Sequence, residues 1–234
     1  MNKLLITYGW GEENEELHRI TLPGKEAYAR LHGYDLWCPT REKFKNVDDG
    51  RHPSWFKIKA IQEAIANKTS RWRQERPNTG DYAFARWKYD TVLWLDADVG
   101  IVDPYIDILS HAVGARPFHC VTHHTADGAV PNCGVWLVKD NAAGCDVSSM
   151  LDAIWNHTTA PRVDHWWEQA AFIDLYANTV HCNRDLHLVW NPHLNDKRGW
   201  PGAGTPKQVA DESYFFHATQ WPDRASELKK RCFI

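Results

Sequence analysis

The sequence predicts an α/β fold with a mostly parallel central sheet flanked by helices. Three observations lead there. Apolar runs of strand length alternate along the chain with segments of helical periodicity, joined mostly by short connections. The first apolar run leads into a glycine-bearing turn, Thr7-Tyr8-Gly9-Trp10-Gly11. A mid-chain apolar run, Thr91 to Leu95, ends on two aspartates, Asp96 and Asp98. Open α/β sheets bind their ligands at such strand ends.

Taken in order, Leu4 to Thr7 is a short buried strand. No G-x-G-x-x-G follows it, so a dinucleotide fingerprint is not supported. Glu12 to Ile20 is acidic and helix-prone, and Pro23 is expected to interrupt, because proline inside a helix costs about 3 kcal/mol. Lys25 to His32 then forms a short helix closed by Gly33. Tyr34 to Cys38 is a second strand, ended by Pro39, and Arg41 to Pro53 reads as a polar loop. Ser54 is placed to cap a helix over Trp55 to about Asn67. Ile58, Ile61, Ala64 and Ile65 recur there at three and four, so that face packs on the sheet. Lys57 and Lys59 flank this face, and a solvated position suits Lys59. Residues 68–88 are irregular and mix Arg71, Arg73, Arg76, Arg86 and Lys88 with Trp72, Tyr82, Phe84 and Trp87. Two readings stand: a surface loop with anchoring aromatics, or a grip on a polyanion or a ring-shaped acceptor.

After the central strand, Pro104 to Ala115 reads as a helix and Phe118 to Thr122 as a strand leading to His123 and His124. Pro131 to Val138 is a turn followed by a buried strand. Met150 to Trp155 and Trp167 to Tyr176 are helices, and Leu186 to Trp190 is a late strand. Residues 191–208 form a Pro- and Gly-rich loop. Tyr214 to His217 is the final strand, and Pro222 to Arg231 a basic terminal helix.

Composition narrows the class. The 234 residues suffice for one large domain, whose core needs no staples. The six cysteines form no C-x-x-C pair and read as reduced, mostly buried thiols. A net charge of −3 rules out a global basic field, though not a local one. No signal peptide or membrane-spanning run is present, so a soluble, cytoplasmic protein without an anchor is expected. Thirteen tryptophans, many in polar company, leave a few flat faces for sugars or bases.

The central stretch carries the chemistry. Strand side chains alternate with period two, so Asp96 and Asp98 point the same way if the chain stays extended. Adjacent carboxylates repel unless a cation lies between them, and a hard divalent cation with oxygen ligands commonly carries phosphates. The plainer reading is a strand end closed by a turn.

Five stretches in a fixed order resemble the GT-A-fold nucleotide-sugar glycosyltransferases. They are KEAYARLHGYDL at 25–36, WFKIKAI at 55–61, YDTVLWLDADVGIVD at 89–103, NCGVWLV at 132–138 with WWEQAAF at 166–172, and FFH at 215–217. The pattern is most similar to the galactosyl- and xylosyltransferase family (glycosyltransferase family 34) of yeast mannan-extending and plant xyloglucan xylosyltransferases. The resemblance implies a single GT-A-like domain over 1–234. A Rossmann-like donor-binding half would cover 1–103, and an acceptor and metal-completing half 104–234. It implies transfer of a hexose or pentose from a nucleotide sugar, UDP-linked, to a hydroxyl acceptor with retention. The cofactor would be Mn²⁺ or Mg²⁺.

By the same resemblance Asp96, Asp98 and His217 hold the metal, with Asp96 shared with the ribose. Thr7 and Tyr8 meet the nucleoside, with Tyr8 able to stack on uracil. Lys57, His124, Asn132 and Gly134 line the donor, and Glu168 and Gln169 sit beneath the reacting sugar as the catalytic pair. Each residue type suits its place. An amide donates to and accepts from hydroxyls. Glycine allows close backbone approach. An acid at a helix start is favoured by the dipole. Separately from the resemblance, Arg224, Lys229 and Lys230 form a basic tail near His217 that could meet the diphosphate, and a solvated helix end suits the two lysines better. Plainer readings stand beside these: a turn for Gly134, a surface position for His124, a helix cap for Glu168.

Other classes fit less well. Haloacid dehalogenase phosphatases carry D-x-D near the chain start. His119, Cys120, His123 and His124 match no closed zinc spacing. A non-catalytic carbohydrate-binding protein has no need of Asp96, Asp98 and His217 together. A DNA-modifying glycosyltransferase, gripping its acceptor with residues 68–88, is the main alternative.

Overall fold

The computed structural model describes residues 1–46, 50–66, 89–111, 117–125, 128–140, 147–157, 167–178, 186–189, 215–218 and 223–233. The basic-aromatic segment 68–88, the loop 191–208 and the end of the expected helix at 112–115 lie outside them. So does the side chain of His124.

The middle layer is a six-stranded sheet. Its strands are β1 (Lys3–Ile6), β2 (Tyr34–Trp37), β3 (Thr91–Leu95), β5 (Phe118–Thr125), β6 (Gly128–Lys139) and β7 (Leu186–Val189). Their order is β2-β1-β3-β6-β5-β7. β1 pairs in parallel with β2 and β3, and β5 in parallel with β7. β6 alone opposes its neighbours, β3 and β5. The sheet is therefore mixed, with five strands running one way. A separate two-stranded ribbon joins β4 (Val99–Ile101) to β8 (Phe215–His217).

The central strands are buried on both faces, as near-continuous apolar runs require. Leu4, Ile6, Val92, Trp94, Trp136 and Val138 enter one core, which α3 (Phe56–Ile65), α4 (Val147–Trp155) and α5 (Trp167–Asn178) cover. Leu5, Leu93, Leu95, Val135 and Leu137 face the other way, onto Tyr28 and Ala29 of α1 (Glu12–His32). Period-two alternation thus sorts side chains between two helical layers.

Several elements differ from the sequence-based expectation. α1 runs unbroken through Pro23 and stops at Gly33, whose φ of 69° and N–H to Ala29 make the expected left-handed cap. The proline is tolerated because contacts on both sides of it hold the helix. Leu17, Thr21, Lys25, Tyr28 and Ala29 form one buried stripe, and Thr21 donates to the Ala97 carbonyl at 2.8 Å. Arg41–Phe44, expected as loop, is a short helix, α2, whose Phe44 is buried against Tyr8 and Phe56. Ser54 does not cap α3. A 3₁₀ turn, Pro53–Trp55, precedes it, and His52 caps that turn by accepting from the Ser54 N–H. Within 104–111 the only helical turn is Ile108–His111. The last helix, α6 (Arg224–Arg231), is capped by Asp223. Among the described residues no helix is long and apolar enough to cross a membrane.

Candidate metal and donor site

β3 ends at Leu95, and the chain does not stay extended beyond it. The Asp96 carbonyl accepts the Val99 N–H at 3.1 Å, closing a tight turn over Asp96-Ala97-Asp98. The two carboxylates therefore converge through a turn and not through strand alternation. Lys25 holds this turn from beneath, donating to the Asp96 carbonyl at 2.7 Å and to Thr7 Oγ1 at 2.9 Å.

The ribbon supplies the third group. β4 begins one residue after Asp98, and its antiparallel register places Val99 opposite His217. The Ala218 N–H donates to the Asp98 carbonyl at 2.9 Å. His217 Nε2 then lies 3.3 Å from Asp98 Oδ1. One ligand atom from each of Asp96, Asp98 and His217 can be chosen so that all lie within 4.8 Å of one another. Arg224 of α6 reaches the same carboxylate, Nη1 to Asp98 Oδ2 at 3.0 Å, and pairs with Glu13 through Nη2 at 2.7 Å. Burial raises the Asp98 carboxyl, but His217 and Arg224 outweigh it and hold the group below the usual carboxylate range.

His217 packs against a bulge. The β5–β6 register steps from Cys120↔Trp136 to Val121↔Asn132, so Cys133, Gly134 and Val135 stand opposite no residue of β5. The expected N-x-G turn is thus a kink within β6. Asn132 Oδ1 accepts the Gly134 N–H at 3.0 Å, and the Gly134 carbonyl accepts from the Asp96 N–H at 2.9 Å. A Cβ on Gly134 would fall 2.3 Å from His217 Cε1. Only glycine lets the imidazole settle there.

α5 brings Glu168 and Gln169 to the same bulge. Gln169 Oε1 accepts the Cys133 N–H at 3.0 Å and faces Asn132 Nδ2 at 3.5 Å. Glu168 Oε1 pairs with Lys57 Nζ at 2.8 Å. Lys57 also donates to Asp96 Oδ1 at 3.0 Å and to the Cys133 carbonyl at 2.8 Å, between the rings of Trp94 and Trp136. A single buried ammonium therefore joins the aspartate turn, the bulge and α5.

Two buried lysines show what decides a pKa here. Burial pulls Lys57 down, but Asp96 and Glu168 in contact with it win and hold it above the ordinary lysine value. Among the described residues Lys25 donates only to neutral oxygens, so burial wins and brings it to about 8, against weaker pulls from Asp98, Cys38 and Asp96.

The remaining expected residues fall as follows. Thr7 is buried at the end of β1 and is held by Lys25. Tyr8 is 8 % exposed, packs edge-on against Trp94, and donates its hydroxyl to the Pro53 carbonyl. That leaves little of its ring for a base to stack on. Trp10 is the more open ring of this turn, stacked on Phe56 with the Arg41 guanidinium above it. Lys59 lies on the outer side of α3, over the Trp155 ring. Lys25 was not among the candidates, although a lysine in the stripe Leu17, Thr21, Lys25, Tyr28 is a visible signal. Trp167 was also missed. Its φ of 41° is positive, which costs roughly 1–3 kcal/mol for a residue with a side chain.

The residues fit a divalent cation. Among the described residues His217 Nδ1 is buried without a hydrogen-bond partner, and two carboxylates stand beside the imidazole. Carboxylate oxygens with one imidazole suit Mn²⁺, and the carboxylates alone suit Mg²⁺. Glu168 Oε2 is likewise buried and unpartnered within the described chain, next to the bulge that Gln169 holds.

No protein-family model matches the chain, and no curated protein matches it by sequence. Solved structures do match. One is a glycosyltransferase involved in glycosylating the major capsid of PBCV-1, at 19% identity and TM-score 0.64, covering 98% of this chain and 100% of that one. Another is the glycosyltransferase GlyE of Streptococcus pneumoniae, at 12% identity and TM-score 0.54, covering 92% of this chain and 55% of that one. These likenesses establish a GT-A-like glycosyltransferase fold. They do not single out the galactosyl- and xylosyltransferase family.

Proposed function

We propose that the protein is a metal-dependent glycosyltransferase that moves a sugar from a nucleotide donor, UDP-linked, to a hydroxyl acceptor with retention of configuration. The observation that carries this reading is the convergence of Asp96, Asp98 and His217 at the end of β3. The Asn132–Gly134 bulge and the Glu168–Gln169 pair stand directly beside it.

Asp96, Asp98 and His217 would hold Mn²⁺ or Mg²⁺, which supplies a Lewis acid to neutralise charge on the departing diphosphate. Arg224, already beside Asp98, would add a fixed positive charge next to the metal ligands. The unpartnered Glu168 Oε2 accepts from a sugar hydroxyl, while Lys57 holds the other oxygen of that carboxylate in place. Gln169 and Asn132 keep the bulge in register, so that donor and acceptor oxygens meet fixed dipoles. The two glycosyltransferases of like fold support this class of reaction without identifying the sugar.

The test is hydrolysis of a panel of nucleotide sugars with Mn²⁺, together with calorimetric binding of UDP. UDP binding that requires Mn²⁺ and is lost in Asp98→Ala is the expected result. Intact binding and turnover in that variant would refute the reading.

A further inference from the structure

We infer that His52 and Trp167 are positioning residues that set the catalytic pair Glu168–Gln169 relative to Lys57. The inference rests on the glycosyl-transfer reading of that pair. Among the described residues Trp167 is the only non-glycine with a positive φ. A bulky residue keeps that conformation only where its surroundings over-determine it. The surroundings here are the imidazole of His52, stacked on the Trp167 ring with centroids 3.7 Å apart and planes 5° from parallel.

His52 is itself anchored. Its Nδ1 accepts the Ser54 N–H at 3.3 Å and lies 3.0 Å from Ser54 Oγ, capping the turn that leads into α3. Burial lowers its pKa, with Lys57 adding to the shift and Glu168 opposing it, and a neutral ring keeps Nδ1 as an acceptor. One ring therefore caps the turn that precedes α3 and stacks on the start of α5. Lys57 follows on the first of these helices and Glu168 on the second, and the two meet at 2.8 Å.

The geometry explains why α5 needs such a fixture. Consecutive helical residues point about 100° apart. Glu168 must turn to Lys57 while Gln169 turns to the Cys133 N–H. A helix rotated by a fraction of that angle satisfies one contact and loses the other. The left-handed residue just before the pair sets the rotation, and the His52 stack holds it.

Two variants separate the two jobs of His52. His52→Asn keeps a capping acceptor and loses the ring, while His52→Phe keeps the ring and loses the acceptor. Donor hydrolysis with Mn²⁺, calorimetric UDP affinity and amide exchange over residues 168–171 are measured for each. His52→Asn is expected to lower kcat about tenfold, leave UDP affinity within about twofold, and speed exchange in the first turn of α5. His52→Phe keeps the stack and loses only its anchor on Ser54, so its kcat and exchange should fall between those of the parent and His52→Asn. Parent-like kcat and exchange in His52→Asn would overturn the inference. So would equal impairment of both variants, or a matching loss of UDP affinity. If His52→Asn does not fold, Trp167→Phe and Trp167→Gly give the same comparison through graded loss of the stack. If the parent protein turns over no nucleotide sugar, the glycosyl-transfer reading fails, and the exchange data alone decide the positioning role.

Discussion

Lys57 is the group whose removal tests the site most directly. Its side chain is 1% exposed and contacts two carboxylates, Asp96 at 3.0 Å and Glu168 at 2.8 Å. Methionine at this position has similar length and no donor. Glu168, 4% exposed, would then keep a buried carboxylate without its counter-charge. Removing one partner of a buried pair typically costs about 3–5 kcal/mol. Asp96 is 29% exposed, so water screens its share and most of the loss comes from Glu168. In a protein of this size each kcal/mol moves Tm by about 2–4 °C, so Lys57→Met should melt roughly 6–20 °C lower. Scanning calorimetry at pH 7 measures this, and the double variant Lys57→Met/Glu168→Gln should recover most of the loss, because it buries no lone charge. The pH dependence has a definite sign. The folded ammonium titrates above its ordinary 10.5, so its stabilisation is complete below that pH and is lost as the pH climbs beyond it. The deficit of Lys57→Met should therefore shrink in strongly alkaline buffer. A single variant melting within about 2 °C of the parent, or a double variant no more stable than the single, would refute the reasoning.

Three further outcomes follow from the same geometry. The Asp98 carboxyl titrates below its ordinary 3.8 in the folded protein, so its stabilisation is present above that pH and is lost as the pH falls below it. Urea unfolding at pH 6 and pH 3 should show the gap between parent and Asp98→Asn closing in acid, and a constant gap would contradict the contacts with His217 and Arg224. In Gly134→Ala the new methyl meets the His217 ring at 2.3 Å, so the imidazole must move. Mn²⁺ affinity should fall at least about tenfold by calorimetry, with an overpacking cost of about 1–3 kcal/mol, and unchanged affinity would remove His217 from the proposed ligand set. Gln169→Ala leaves the Cys133 N–H without its acceptor, at a cost of about 1–3 kcal/mol. A Tm equal to that of the parent would show that the bulge does not depend on this contact.

Much of the framework was legible because it is written in local patterns. Leu4 to Ile6 and Thr91 to Leu95 are apolar runs that only a doubly covered strand can use, and both are central strands. Gly33 stops α1 where a left-handed residue is needed. Pro23 misled because helix propensity is a local cost, whereas the stripe from Leu17 to Ala29 gains its stability from packing on distant segments. Tyr8 misled in a similar way. Its place after β1 suggested an open ring, but the packing of Trp94 and Phe44 decided its exposure.

The sequence by itself determined which chemistry stands at which strand end: two aspartates after β3, an Asn-Cys-Gly in β6, an acid and an amide opening α5, and a histidine closing β8. The tertiary structure alone decided that they meet. The β4–β8 ribbon carries His217 to Asp98, the bulge turns Gly134 under the imidazole, and Lys57 ties Asp96 to Glu168. The physical reason is range. Periodicity and propensity act over a few residues and specify faces. Coulomb attraction and steric fit between Asp98, His217 and Gly134 exist only once sheet pairing has brought remote segments within a few ångströms.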